Sequence, residues 1–446
     1  MRRFFQKLSP TQFVVLSFAV VISMGVLLLS LPISNHQKVF TPIVDTLFTA
    51  TSAVCVTGLV TLETGTYFTM FGQFVILMLI QIGGLGLMTF TTMMFVVLGR
   101  RISLRDRMLI AEQFNQNQLS GAIKLVLSIA TLTGVIELIG ALFLSIRFIP
   151  QFGVAKGIWF SVFHSVSAFC NAGFDLLGDG RFRSLIDYVN DPIVSLTICA
   201  LIILGGLGFT VIKDVNSKRS WKKFNLHSKV VLASTAVLLV IGLVGFFSME
   251  YGNPETLGAL SWPGKILASI FQGVTPRTAG FATVDFGKVE PETALLTILL
   301  MFTGASPSST GGGVKTTTIA TLIFMLWFMV RTGNDPIIFN RRISTEAMDK
   351  AMYIVLIGIL IVSFSTILIL SAESFSLQQV LFEVVSAFGT VGLSTGITSS
   401  LTSFSKIVLI ITMFIGRVGG LSLALALFRK YDSHNVQWPE ENILIG

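Results

Sequence analysis

Charge is scarce in this chain. Asp, Glu, Lys and Arg together supply 12% of its 446 residues, about half the share of an ordinary soluble domain. With 52% hydrophobic residues and a mean hydropathy of +0.81, that scarcity excludes a fold that faces water on all sides. Cysteine is almost missing. The three present, Cys55, Cys170 and Cys199, have no metal-ligand spacing. Cys55 and Cys170 each stand three residues before a glycine, where a small apolar side chain packs a helix end. Histidine is equally thin. His36, His164, His227 and His434 are scattered, and neither a nucleophile–base pair nor a metal cluster emerges, which argues against an enzyme. A phosphate-binding loop is excluded too, because Val314 separates Gly313 from Lys315 and the motif needs Gly-Lys-Ser/Thr in succession. No small-residue cleavage site precedes Pro32, and the apolar run Phe13 to Leu31 is long enough to span, so it reads as a membrane helix rather than a leader.

What the chain does have is one short pattern four times over. An apolar helical stretch runs into a glycine at Phe48–Leu59, Phe163–Phe174, Ile270–Phe281 and Phe382–Leu393. The glycines, Gly58, Gly173, Gly280 and Gly392, recur about every 110 residues, and such a period marks repeated structural units. The units are residues 1–107, 108–220, 221–345 and 346–446. Within each, a long apolar run is followed by a short one, the glycine segment and another long run. About 20 apolar residues cross a bilayer and 10–14 read as re-entrant. The expected long helices are 13–31, 70–98, 123–146, 193–212, 229–248, 293–330 (interrupted), 351–371 and 406–428. The expected half-helices are 43–54, 157–169, 264–275 and 377–388. The fold class is therefore an all-α polytopic membrane protein, with eight spans and four half-helices around a pseudo-four-fold axis.

Charge placement orients it. One set of loops holds Arg2, Arg3 and Lys7, then Arg100, Arg101, Arg105 and Arg107, then Lys213, Lys218, Arg219, Lys222, Lys223 and Lys229, then Arg331, Arg341 and Arg342, then Arg429 and Lys430. The opposite loops hold acids such as Glu63, Asp175, Asp179, Asp187, Glu250 and Asp285. Basic loops stay inside, so both termini are expected in the cytoplasm and the glycine segments on the outer side. The isoelectric point near 9.5 comes from these inner loops and implies lipid headgroups or an acidic cytosolic partner, not nucleic acid.

Irregular backbone at membrane depth is tolerated where it lines water or is buried in protein. The matched segments are Val56-Thr57-Gly58, Asn171-Ala172-Gly173, Thr278-Ala279-Gly280 and Thr390-Val391-Gly392. Glycine allows backbone angles that turn successive carbonyls to one side, and four such segments would make an oxygen ring fit for a dehydrated monovalent cation. The half-helices aim their negative C-terminal ends at the same point. These twelve residues form the expected ion-binding filter, with K⁺ held at the glycines.

The second long run of the third unit is broken at Gly304–Lys315, and this is the one break expected. Pro307 cannot continue a helix, and Gly311, Gly312 and Gly313 loosen the backbone after it. This loop should lie beneath the filter. Arg417, inside the last run, is twelve residues from Arg429, roughly 18 Å of helix, and a membrane-buried arginine is a functional residue by default. It reads as a positive plug held by Ser306, Ser308 and Thr310. The gate residues are thus Gly304, Ser306, Ser308, Thr310, Gly311, Gly312, Gly313, Lys315 and Arg417. The repeats Gly83-Gly84-Leu85-Gly86 and Gly205-Gly206-Leu207-Gly208 read as close helix packing or hinges.

With these motifs the chain resembles the Trk/Ktr/HKT superfamily of cation transporters over nearly its whole length, and is most similar to the Ktr membrane-subunit (KtrB) branch. The resemblance implies K⁺ uptake at the bacterial inner membrane, a homodimer with one pore per protomer, and a cytosolic ring of nucleotide-binding RCK/KTN subunits (KtrA-like), the nucleotide residing only on that partner. In related HKT proteins a serine at the first filter position accompanies Na⁺ selectivity; Gly58 stands there and implies K⁺. Pro276 and Arg277 depart from the pattern of the other units. The C-terminal tail Trp438–Gly446 is expected to join the dimer contact. The alternative is a Na⁺-coupled or other secondary transporter of a small solute, for which Glu137 is the clearest internal charge besides Arg417.

Overall fold

The computed structural model describes residues 10–86, 122–178, 180, 182–332 and 337–420. The basic residues at 2–7, 100–107 and 429–430, Asp179, the far ends of the runs 70–98 and 406–428, and the tail 438–446 lie outside the described residues. Among the described residues, four helices are long and apolar enough to cross a membrane. They are α1 (Pro10–Ser30), α4 (Ala122–Phe152), α8 (Leu226–Glu250) and α12 (Thr345–Ala372), and each opens one quarter of the chain.

Half-length helices follow them: α2 (Ile43–Cys55), α5 (Val154–Phe169), α9 (Trp262–Val274) and α13 (Leu377–Gly389). The N-terminus of α13 is fixed by a capping box, with the Ser376 hydroxyl accepting from the Gln379 amide and Gln379 reaching back. Their C-terminal halves are buried almost completely, unlike the exposed apolar flanks of the long helices. A second helix then closes each quarter: α3 (Met70–Leu85), α6 (Pro192–Leu207), α10 (Pro291–Phe302) and α14 (Ser403–Val418).

These second helices are shorter than their apolar runs, and the expectation of a single break needs correcting. α3, α6 and α14 end at Gly86, Gly208 and Gly419, with φ of +80°, +91° and +92°. L-residues rarely enter that region, so glycine is what permits each helix to end there. After Gly208 the chain continues as α7 (Phe209–Lys218), bent 94° from α6. In the third quarter the gap is longer, and α11 (Thr316–Thr332) resumes beyond it. A two-residue hairpin, β1 (Ile337–Ile338) with β2 (Arg341–Arg342), precedes α12.

The quarters interlock cyclically. α3 packs on α5, α6 on α9, α10 on α13, and α14 returns to α2. Each second helix thus supports the half-helix of the next quarter. The glycine pairs are the contact points: a methyl at Gly84 would meet Cys170 Sγ at 2.6 Å, and methyls at Gly83, Gly205 and Gly416 would strike the carbonyls of Val54, Phe169 and Phe388 near the ends of the half-helices. At the closing seam Lys406 on α14 pairs with Asp45 on α2 at 2.8 Å.

Candidate functional site

The four glycine segments meet. A methyl placed on Gly58 would lie 2.5 Å from the Ala172 carbonyl, on Gly173 2.7 Å from that of Ala279, and on Gly280 2.5 Å from that of Val391. On Gly392 it would strike the Thr57 carbonyl. The order 58, 173, 280, 392 therefore closes into a ring in which every glycine Cα faces its neighbour's backbone. No side chain has room there.

Backbone handedness repeats with the same regularity. Val56, Asn171, Thr278 and Thr390 have φ of +57°, +59°, +66° and +50°, and the four glycines have φ between +68° and +95°. The residues between them, Thr57, Ala172, Ala279 and Val391, are not left-handed. Left-handed angles thus recur at alternate positions in all four segments. For β-branched Val56, Thr278 and Thr390 such angles are outliers, of the kind that persist where surrounding structure over-determines them.

That surrounding structure includes a set of hydroxyls that sequence reasoning missed. Ser52 Oγ accepts from the Gly58 amide at 3.0 Å, and Ser386 Oγ from the Gly392 amide at 3.0 Å. Ser167 Oγ donates to the Phe174 carbonyl at 2.7 Å, and Thr275 Oγ1 to that of Phe281. Each ties an irregular segment back to its own half-helix. The signal for them is a serine six residues before the glycine in the first, second and fourth units, and a threonine five residues before it in the third.

On one side the ring opens into a cavity of about 840 Å³ lined by all four glycines, with Glu63, Asp175, Glu255 and Asp285 outnumbering Arg183 and Lys288. Asp175 stands in the loop just beyond the second segment. Burial pushes its carboxyl up to about 6, and the charge of Glu63 adds to the rise against the hydrogen bond from Leu177 N.

On the other side lies the 304–315 loop. The Gly312 amide donates to Thr390 Oγ1 at 3.0 Å, and Gly311 sits against the Thr278 side chain. The loop reaches across quarters: Ser306 N donates to the Gly206 carbonyl at 3.1 Å and Thr310 Oγ1 to the Phe169 carbonyl at 3.2 Å. Gly304 N donates to Val314 O at 2.8 Å, closing the loop neck, and Lys315 Nζ donates to Gly311 O at 2.7 Å. Gly313 N donates to the Gly416 carbonyl at 3.3 Å.

Arg417 stands beside it. Its guanidinium donates to the Thr310 carbonyl and to the Gly83 carbonyl of the first quarter. Of the three loop residues expected around it, only Thr310 meets it. The Ser306 hydroxyl is occupied by Thr316 at 3.1 Å, and the Ser308 carbonyl accepts from Phe209 N at 3.0 Å. Arg277 is 5% exposed, and its Nε and Nη2 have no protein partner among the described residues. Glu137 meets Gln81 Nε2 at 3.3 Å and Cys170 Sγ, just before the second segment, at 3.9 Å. Among the described residues no group of His, Cys, Asp and Glu could hold a metal ion in the manner of an enzyme site.

The family model for TrkH, described as a cation transport protein, matches residues 2–437. The chain belongs to the TrkH family. It is 43% identical over 99% of its length to the Ktr system potassium uptake protein B of Bacillus subtilis (strain 168), covering 97% of that relative. It is 41% identical over 100% of its length to the potassium/sodium uptake protein NtpJ of Enterococcus hirae, covering 99% of it. A solved structure, the potassium transporter TrkH from Vibrio parahaemolyticus, superposes with a TM-score of 0.71 over 93% of this chain and 84% of that one. At 18% identity that likeness establishes the fold. As a TrkH-family member the chain is a multi-pass membrane protein of a cation-transporter family rather than an enzyme, with K⁺ named as cargo among its relatives.

Proposed function

We propose that the protein takes up K⁺ across the bacterial inner membrane through a channel-like pore, its filter built by Gly58, Gly173, Gly280 and Gly392 with the two residues before each. The observation that carries this is the closed ring of glycine backbones between an acid-rich cavity and a loop. A ring of main-chain oxygens in place of water suits a bare monovalent cation. In this reading the four units 1–107, 108–220, 221–345 and 346–446 each contribute a span, a half-helix, a filter segment and a span. The 304–315 loop and Arg417 form the gate, because both lie on one face of the ring and their hydrogen bonds tie all four quarters together. A homodimer and a cytosolic nucleotide-binding ring complete it, a multi-component assembly being supported by the Ktr-system name of the Bacillus relative; both termini would then lie inside. The test is K⁺ uptake by a K⁺-uptake-deficient cell carrying Gly280→Asp. Apparent K⁺ affinity should fall more than tenfold; an unchanged affinity in a normally inserted variant rejects the filter.

Na⁺ is the second reading, favoured by the Enterococcus relative named for both cations. Competition of Na⁺ with radioactive Rb⁺ uptake separates a shared pore from Na⁺ exclusion.

A further inference from the structure

The α7–α8 connection and the β1–β2 hairpin form one surface that the pore leaves unused. α7 departs at 94° from α6, so it lies along the membrane plane if α6 crosses it. α8 starts at Leu226 and runs 25 mostly apolar residues away. α11 ends nearby in sequence with Trp327 exposed and Arg331 5.8 Å over its ring. These ends set the surface at headgroup depth, where aromatic belts and basic residues gather.

Asp214 organises this corner. Its carboxylate accepts from Asn225 N at 2.9 Å and Ser228 Oγ at 2.7 Å, and pairs with Lys218 at 2.8 Å. It is the one acid from Phe209 to Lys229, so pairing leaves the exposed Lys213, Arg219, Lys222 and Lys223 uncompensated within that stretch. Arg341 adds a further exposed cation from the hairpin.

Aromatic rings stand among these charges. Trp221 is 46% exposed and meets Phe339, 43% exposed, edge-on at 6.0 Å. Lys229 Nζ lies 5.8 Å from the Phe339 ring centre. Phe339 and Asn340 form the hairpin corner with φ of +48° and +62°, a geometry that favours Asn and Gly. A bulky aromatic residue held left-handed there is strained, and such strain marks a position kept for its side chain.

We propose that this surface binds anionic phospholipid headgroups, Lys222, Lys223 and Arg341 pairing with phosphate while Trp221 and Phe339 sit in the interfacial layer. Charge complementarity selects an anion, and solvent-exposed rings at the ends of spans select a lipid over a cytosolic protein. The proposal stands independently of the ring's role.

The test uses the full chain in phosphatidylcholine micelles, titrated with brominated phosphatidylglycerol and read by tryptophan quenching. Trp221→Phe should remove most of the saturable quenching. Replacing Lys222, Lys223 and Arg341 together by Gln should weaken binding about a hundredfold, from about fivefold per charge near an anionic surface. Replacing the two lysines by Arg should preserve it, which separates charge from misfolding. Phe339→Asn should raise thermal stability by releasing the strained corner yet reduce quenching. Wild-type affinity in the Gln variant overturns the proposal. So does competition by inorganic phosphate at equal concentration, which would mean a free-anion site. It is overturned equally if the Gln variant keeps its lipid affinity and loses only capture of a cytosolic protein.

Discussion

Arg417, near the end of α14, donates to the carbonyl of Thr310 in the 304–315 loop. One side chain therefore holds the segment that packs against Thr278 and Thr390 under the ring, and the same guanidinium reaches Gly83 in the first quarter. Charge-assisted hydrogen bonds contribute about 1.5–3 kcal/mol each. Arg417→Gln should free the loop and raise the Rb⁺ uptake rate about tenfold or more, and deleting residues 308–313 should do the same. Loss of all flux in either well-folded variant would show that the loop supports the pore rather than obstructing it.

Gly392 and Gly396 make a matched pair for testing the ring. Both have left-handed φ, +95° and +93°, but a methyl on Gly392 would strike Thr57 O, whereas nothing lies within 4 Å of one on Gly396. Gly396→Ala should cost only backbone strain, about 1 kcal/mol, and leave K⁺ affinity alone. Gly392→Ala should lower apparent K⁺ affinity more than tenfold. Equal effects in uptake assays would mean that the close approach at the ring has no bearing on transport.

The hydroxyl staples predict a graded phenotype. Ser52→Ala and Ser386→Ala each leave a buried amide, that of Gly58 or Gly392, without its partner, at about 1–3 kcal/mol. K⁺ affinity should fall severalfold and discrimination against Na⁺ should narrow, while protein level in the membrane stays near normal. Threonine at either position should restore function, since it keeps the hydroxyl.

Acidification should weaken uptake through the acid-lined cavity. Asp175 has its pKa raised by burial to about 6, so it is ionised above that pH and neutral below it. The cavity loses a negative charge as pH falls through about 6, and uptake at low K⁺ concentration should drop there. Asp175→Asn should show the lower rate at every pH and lack the step. A step that persists in that variant would assign it to another group.

At the seam between the first and last quarters, Asp45 and Lys406 are 17% and 13% exposed. Removing one partner of a largely buried pair strands the other, at about 3–5 kcal/mol. Asp45→Asn or Lys406→Gln alone should reduce thermal stability in detergent clearly, and the double variant should recover part of it, as a double-mutant cycle reads coupling.

The sequence alone determined the periodicity of this protein. Hydrophobic length separates the long helices from the half-helices, and left-handed backbone leaves a glycine signature legible in the order of residues. It did not reveal that helices end at Gly86, Gly208 and Gly419, because hydropathy continues past a left-handed residue that only φ records. Nor did it reveal which carbonyls Arg417 finds, or that Ser52, Ser167, Thr275 and Ser386 face the irregular backbone. Those are contacts between groups one turn to several hundred residues apart. The repeat itself predicts that four distant glycines meet around one axis; what the fold decided is which neighbour each faces, since that depends on each second helix packing on the next quarter's half-helix, a relation no local pattern encodes.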